Sequence, residues 1–433
     1  MGNNGADKNR WLIAVGAVAI HLSIGGIYAY SIYQIPLNEV LGWETSSVSL
    51  AFSIAIFVLG MTAAFLGSYV EKYGPRKSGL AAAVLYGVGI IGAGVAVQTG
   101  SLYLFFATFG VIGGMGLGLG YISPIGTLLE WFPDRRGMAT GLAVMGFGAG
   151  ALLTSPLGNA LMLHFSTGSA QYTQGGIATT FYVLGALYFV LMALGASYLA
   201  KPSEDWLPEG MESTAEAQEK AKSAISGLSN LTAAEARKTP RFYMIWLIIF
   251  INVSAGIMLL AYASPILQTL GGASATTAAF ITGYIGIFNG GGRIFWSSLS
   301  DYIGRTTTYG AFFVIQILAF FMLPQVTGVW IIAITLFIII TCYGGGFACL
   351  PAYLSDLFGT KEVSAIHGYA LTAWGLAGVA GPTLASIILE STGSYTTALY
   401  IINVVLVVGL VVVLVLRWRI GEVGEQSATA AAN

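Results

Sequence analysis

One residue in this 433-residue chain is chemically out of place. Arg293 lies inside the apolar run ITGYIGIFNGGGRIFWSSLSD, where a guanidinium costs about 3 kcal/mol on insertion scales. A guanidinium is a permanent cation with a planar fork of donors, matched to a carboxylate held bidentately. Asp301 follows eight residues later, so at 1.5 Å per residue Arg293 sits ~12 Å below the membrane surface. On a helical wheel it shares an arc with Thr282, Gly286, Asn289, Gly290 and Ser297, while Ile281, Tyr284, Ile285, Phe288 and Phe295 fill the opposite arc. The small, polar arc is expected to face the protein interior or a wet cavity. None of the 19 acidic residues falls at this depth. Glu71, Glu130, Asp134, Asp301, Asp356 and Glu362 lie at one set of segment ends, and Glu39, Glu44 and Glu390 at the other. A buried cation without a protein anion points to an anion that arrives as substrate. Snorkelling to the surface is the competing reading; the depth and the polar arc argue against it.

The inward stripes of other apolar segments supply the remaining candidate binding residues. They are Tyr28, with His21 and Gly25 on its face; Tyr121, in GGMGLGLGYISPIG; Asn252 and Tyr262; Tyr343 and Phe347; and Trp374. With Asn289 and Arg293 they would form a tyrosine-rich box for a small organic anion, although each taken singly reads equally well as packing. His21 is the candidate proton carrier, because an imidazole titrates near ~6.5; a packed, hydrogen-bonded histidine is the alternative. His164 and His367 sit nearer segment ends. No metal-ligand cluster and no nucleophile–base constellation occurs, so neither a cofactor nor enzymatic activity is expected. Cation or drug efflux would want a carboxylate at mid-depth, and a neutral sugar leaves Arg293 unexplained. A carboxylate-sensing receptor is the alternative outside transport.

The elements that must position these residues are set by composition. Of the residues, 56% are hydrophobic and 9% charged, against about 25% charged in a soluble domain. This predicts an all-α polytopic membrane protein. Spans need ~20 apolar residues, and twelve candidates occur: 11–33, 47–69, 78–98, 102–128, 138–162, 177–199, 242–266, 275–298, 308–324, 328–354, 364–389 and 396–416. Every Lys and Arg except Arg293 falls before the first span, after the last, or in alternate connections. The positive-inside rule then puts both termini and the long central connection in the cytoplasm, in a cell membrane. The organisation expected is a six-helix half over 1–199, a cytoplasmic linker over 200–241 with an amphipathic helix near 213–238, and a second six-helix half over 242–433. A monomer in the lipid bilayer is expected, with a small carboxylate as its ligand and no nucleic acid. Cys342 and Cys349, two helical turns apart, read as small core residues.

The halves repeat. GSYVEKYGPRK after the second span matches SSLSDYIGRTT after the eighth: Gly67, Glu71 and Gly74 correspond to Ser297, Asp301 and Gly304, each 230 residues on. EWFPDRRGMATG and DLFGTKEVSAIHG correspond likewise, Phe132 to Phe358. Parallel six-helix repeats are the arrangement of the major facilitator superfamily. The first loop resembles that superfamily's signature, with Gly67, Glu71, Lys72, Gly74, Arg76 and Lys77 all in place. A carboxylate at one helix end pairing with basic residues at the next would latch one conformation. Asp301, Gly304 and Arg305 form the second copy, weakened because Tyr302 stands where a basic residue is expected.

Over essentially its whole length the chain resembles the oxalate/formate antiporter family of that superfamily, relatives of the monocarboxylate transporters. The likeness is carried by YISPIGTLLEWFPDRRGMATG, FNGGGRIFWSSLSDYIGR and YGGGFACLPAYLSDLFG. It implies alternating access, a carboxylate-binding arginine at Arg293, and aromatic walls from Tyr28, Tyr121, Tyr343 and Phe347. The family's oxalate carrier has a lysine in the eleventh span where this chain has Trp374. That departure favours a monocarboxylate such as formate, lactate or pyruvate over oxalate. Monocarboxylate transporters carry an aspartate four residues before the arginine, where this chain has Asn289. Anion exchange and proton symport both remain open.

Overall fold

The computed structural model describes residues 8–132, 136–203, 231–359 and 363–432. The side chains of Gly67, Glu71 and Asp301 lie outside that description, as do Arg135, Lys361 and most of the helix expected over 213–238. Twelve long helices organise the rest: α1 Arg10–Leu41, α2 Thr45–Phe65, α3 Pro75–Thr99, α4 Leu102–Leu128, α5 Arg136–Phe165, α6 Gln174–Tyr198, α7 Pro240–Thr269, α8 Ala275–Ile303, α9 Arg305–Gln325, α10 Val329–Phe358, α11 Ala365–Thr392 and α12 Tyr395–Arg419. Ten of these are long and apolar enough to cross a membrane; α5 and α8 are not among the ten. In α8 the reason is local, since Asn289, Arg293 and the glycines around them lower its apolarity while the helix still runs for 29 residues.

Side-chain caps set many of the helix starts. Asn9 accepts from the Trp11 amide, Thr173 from Gly176, Thr239 from Phe242 and Ser274 from Thr277. Each satisfies one of the orphan amides of a first turn. Gly74 and Gly304, equivalent in the sequence repeat, take the same backbone conformation, with φ of +80° and +85°. Only glycine enters that region without strain, and it is what lets α3 start directly after a short helix, Gly67–Tyr73, and α9 directly after α8. The outward face of α12 carries Val404, Val407, Val408, Val411 and Leu414, all exposed. An apolar stripe turned outward is the pattern of a helix solvated by lipid.

The first six helices meet the last six through α2 against α11, α5 against α8, and the middle of α1 against α7 and α8. Two devices allow the close approach. α1 is not uniformly α-helical: after the Gly25–Gly26 pair, residues Gly26–Tyr33 form a 3-10 stretch. A Cβ on Gly25 would overlap the Phe147 carbonyl of α5. Farther along, a Cβ on Gly286 of α8 would overlap the Gly148 carbonyl of α5. Such backbone contact through small residues replaces the hydrophobic drive that helices lack in lipid. Hydrogen bonds between the two sets gather at the end of the bundle away from the linker. Gln34 Nε2 donates to the Ala261 carbonyl (2.7 Å), the Ser264 amide to Ser31 Oγ (3.3 Å), and the Ser46 amide to Glu390 Oε1 (2.7 Å).

Candidate functional site

The buried face of α8 is the arc that carries Thr282, Asn289 and Arg293; Tyr284, Phe288 and Phe295 are exposed on the other side, while Ile281 and Ile285 are buried against neighbouring helices. Arg293 is 4% exposed. Its Nε donates to Asn289 Oδ1 one turn earlier (3.2 Å), and its guanidinium carbon lies 5.3 Å from the centre of the Phe347 ring. Gly344 makes this possible, because a Cβ there would stand 2.7 Å from Asn289 Oδ1 and overlap its backbone carbonyl. A cation over an aromatic face gains about 0.5–2 kcal/mol, too little to replace the charge pairing that a buried guanidinium needs. Among the described residues, Arg293 Nη1 and Asn289 Nδ2 have no hydrogen-bond partner. Among the described residues no carboxylate pairs with Arg293.

Around the guanidinium the aromatic residues interlock edge to face. Tyr28 of α1 and Tyr343 of α10 share a hydrogen bond between their hydroxyls (2.8 Å), which crosses between the two helix sets. The hydroxyls of Tyr28 and of Tyr121 on α4 hydrogen-bond to the Arg293 guanidinium, and that of Tyr343 lies within its electrostatic reach. Trp374 of α11 stands 5.3 Å from the Tyr121 ring and 5.0 Å from Phe347, and its indole Nε1 is buried without a hydrogen-bond partner. T-shaped pairs like these direct positive ring edges at negative faces, so the walls hold one another in place. The arrangement offers a buried cation with an unpartnered Nη1, neutral donors at Asn289 and Trp374, tyrosine hydroxyls, and apolar ring edges.

Other candidates fall elsewhere. Asn252 of α7 is fully buried beside Gly346 of α10, and both amide atoms lack partners. Tyr262 bonds to Ser49 of α2 and packs on Tyr395 (6.0 Å), at the end of the bundle away from the linker. Removing its hydroxyl with Tyr262→Phe is expected to alter the transport rate while leaving substrate KM within about 2-fold, because a neutral hydrogen bond contributes only about 1 kcal/mol. A concentration series in vesicles checks this. His21 of α1 presents Nε2 to the Tyr121 carbonyl (3.1 Å), while Nδ1 has no partner and Phe147 lies 6.4 Å away. Of the loop residues, Arg305 reaches Ser300 Oγ and lies 3.5 Å from Asp356 on α10. Lys72, Arg76 and Lys77 are exposed.

Phe147 of α5 escaped the sequence reading. It contacts Tyr28 (4.9 Å), Tyr121 (5.7 Å) and Trp374 (6.3 Å), and so closes the box. The signal was present: it is the one aromatic in MGFGAGA, a run whose small neighbours admit other helices closely.

A family model described as Major Facilitator Superfamily matches residues 14–382 and 245–432. The oxalate:formate antiporter of Oxalobacter formigenes is 26% identical over 400 residues, covering 92% of this chain and 89% of that protein. The apicoplast pyruvate carrier 1 of Toxoplasma gondii is 26% identical over 365 residues, covering 74% of this chain and 65% of that protein. Among solved structures, a partially occluded, inward-open form of the xylose transporter XylE from E. coli superposes with a TM-score of 0.69 at 16% identity. That match covers 93% of this chain and 98% of the other.

Proposed function

Because the chain belongs to the major facilitator superfamily, we propose that it carries small organic monocarboxylates across a cell membrane by alternating access, with Arg293 as the residue that takes the carboxylate. The observation that carries this reading is the guanidinium itself. It is buried, its Nη1 has no partner among the described residues, and the groups that hydrogen-bond to it, Asn289, Tyr28 and Tyr121, are all neutral. The substrate supplies the missing anion. Tyr28, Tyr121, Tyr343, Phe347 and Trp374 wall the site, Asn289 fixes the guanidinium, and Asn252 lies at its margin. The two six-helix halves, 1–199 and 242–433, rock about this centre, with both termini and the linker cytoplasmic. The glycine–carboxylate–basic loops at 67–77 and 301–305 act as the latch.

Anion exchange is the favoured mode. Without an anion the cation is poorly compensated, and occluding it in low dielectric is costly, so the empty carrier resists crossing while the loaded one does not. His21 is the residue through which proton symport would run; its carbonyl bond and ring neighbours read equally as a packed histidine.

A second reading, exchange of oxalate, is favoured by the likeness to the oxalate:formate antiporter of Oxalobacter formigenes. One position separates the two. With Trp374 the site has one cation for one carboxylate. Trp374→Lys adds a second, and since a charge-assisted hydrogen bond contributes about 1.5–3 kcal/mol, it is expected to raise the oxalate-to-formate preference by roughly 10-fold or more.

Uptake into proteoliposomes tests the proposal. Labelled formate, lactate, pyruvate and oxalate are compared with and without internal anion, and with and without a pH gradient. Monocarboxylate uptake that requires internal anion is expected. Uptake driven by the pH gradient alone would refute exchange, and no uptake of any of the four would refute the substrate class.

A further inference from the structure

We propose that the returning end of the linker, residues 231–239, is a buttress for the linker-end segment of α11, and that Arg237 is the positioning residue which sets how readily that end of the carrier opens. α11 is interrupted at Leu371, which divides a short segment, Val363–Ala370, from Thr372–Thr392. The Leu371 amide still reaches the His367 carbonyl (2.9 Å), so the interruption is a turn that keeps the two pieces connected. The short segment leans across to α2 of the first six helices, where a Cβ on Gly368 would stand 3.9 Å from the Ala64 carbonyl. Just beyond the turn, Gly375 meets Gly60 of α2 almost backbone to backbone. This is a contact between the two halves at the linker end, made by a segment with a joint in it. Leu371 keeps helical dihedrals (φ −67°, ψ −14°), so the turn is a local tightening of a continuous helix, and it is the place where a small φ/ψ change would be absorbed on opening.

On its other side the segment meets the linker. The chain there is unusually well fastened for so short a stretch. The Leu231 amide donates to the carbonyl of Phe358, the last residue of α10 (2.9 Å). Thr232 and Glu235 form a capping box around a one-turn helix, Ala233–Ala236, whose Ala236 is fully buried. Thr239 then bonds back to the Ala236 carbonyl (2.7 Å) and caps α7 in turn. The box satisfies both its own donors, and Pro240 at the first turn of α7 suits the fixed φ of that position. Arg237 projects from this fastened piece. Its Nε donates to the Ala233 carbonyl (3.3 Å), which orients the guanidinium 4.1 Å over the ring of Tyr369. Tyr369 belongs to the jointed segment, so Val363–Ala370 is held between α2 on one side and Arg237 on the other. Loss of the stack frees the segment to swing at Leu371 and part from α2. The inference uses only the family and the position of these residues, and does not depend on which anion is carried.

Thiol labelling reads the opening. Cys342 and Cys349, both buried, are replaced by Ala and Ala64→Cys is added. A water-soluble maleimide is then applied to purified carrier in lipid. A cation–π contact is worth about 0.5–2 kcal/mol, so Arg237→Ala and Tyr369→Leu are each expected to raise the labelling rate about 3- to 10-fold. Combining the two adds little, because they remove the same contact. Arg237→Lys, which keeps a cation over the ring, labels near the parental rate. In transport, Arg237→Ala shifts the maximal rate while KM stays within about 2-fold. Melting temperature is followed in parallel, so a collapsed protein is recognised by its thermal transition. Parental labelling in both single variants overturns the proposal, as does a fully additive double variant or an Arg237→Lys that behaves like Arg237→Ala.

Discussion

Arg293→Gln should abolish monocarboxylate exchange, lowering the rate by more than about 100-fold. Two charge-assisted hydrogen bonds from one guanidinium to one carboxylate are worth about 1.5–3 kcal/mol each, and every 1.4 kcal/mol is about tenfold. Glutamine keeps hydrogen-bonding capacity but neither the charge nor the fork. Arg293→Lys keeps the charge alone, so it should retain a small part of the activity with a raised KM. The variant protein should fold, because removing an unpaired buried cation relieves a desolvation cost; its melting temperature should equal or exceed the parent's. Exchange of labelled formate or lactate into preloaded vesicles, at matched protein density, measures both activities, and a thermal melt measures the stability. Transport at the parental rate by Arg293→Gln would remove the arginine from the mechanism.

The second large effect concerns packing and leaves the chemistry of the site alone. Gly286→Val puts a branched side chain where even a Cβ would overlap the Gly148 carbonyl. This is the contact through which α5 and α8 join the two halves, and the two backbones have no flexible atom to give way. Overpacking costs about 1–3 kcal/mol even where side chains can adjust. Here the halves must separate at mid-depth, beside the site, so exchange should fall by two orders of magnitude or more. Gly291 on the same helix is the control. A Cβ there meets nothing within 4 Å and the residue is exposed, so Gly291→Val should leave exchange within about 2-fold, since helix propensities of Gly and Val differ by only a few tenths of a kcal/mol. Thermal melting of both variants separates a wedge from a failure to fold. Equal activity in the two would show that the approach of α5 to α8 is not needed.

Arg293 and its buried arc were legible in the sequence because both are properties of a single helix. Depth follows from counting back from Asp301, and the face follows from the 3.6-residue period. The all-helical architecture was legible for a similar reason, since lipid leaves few options for a backbone that must satisfy its own hydrogen bonds. Phe147 and Tyr262 show where such reading ends. A helical wheel places a residue on a face but does not say what lies across from it. Phe147 closes the box only because Gly25 and Gly150 let α1 and α5 touch, and Tyr262 faces Ser49 of α2 because of where α7 crosses α1. The first span, expected over 11–33, continues as helix to Leu41 through a 3-10 stretch. Hydropathy does not register that change of pitch. The turn at Leu371 was likewise invisible, as no proline or glycine marks it, and Arg237 read simply as one cation in a polar linker of mixed charge. Both emerge from contacts between elements far apart in the chain.

Equilibrium binding tests whether Arg293 holds the carboxylate of the substrate, without the complications of a transport cycle. Purified carrier in detergent or nanodiscs is titrated with labelled formate, lactate, pyruvate and oxalate, for the parent and for Arg293→Gln. The account predicts one saturable site for a monocarboxylate in the parent, weaker or no binding of oxalate, and a loss of more than about 100-fold in affinity in the variant, as expected for a lost bidentate ion pair. Undiminished monocarboxylate binding by Arg293→Gln would contradict it.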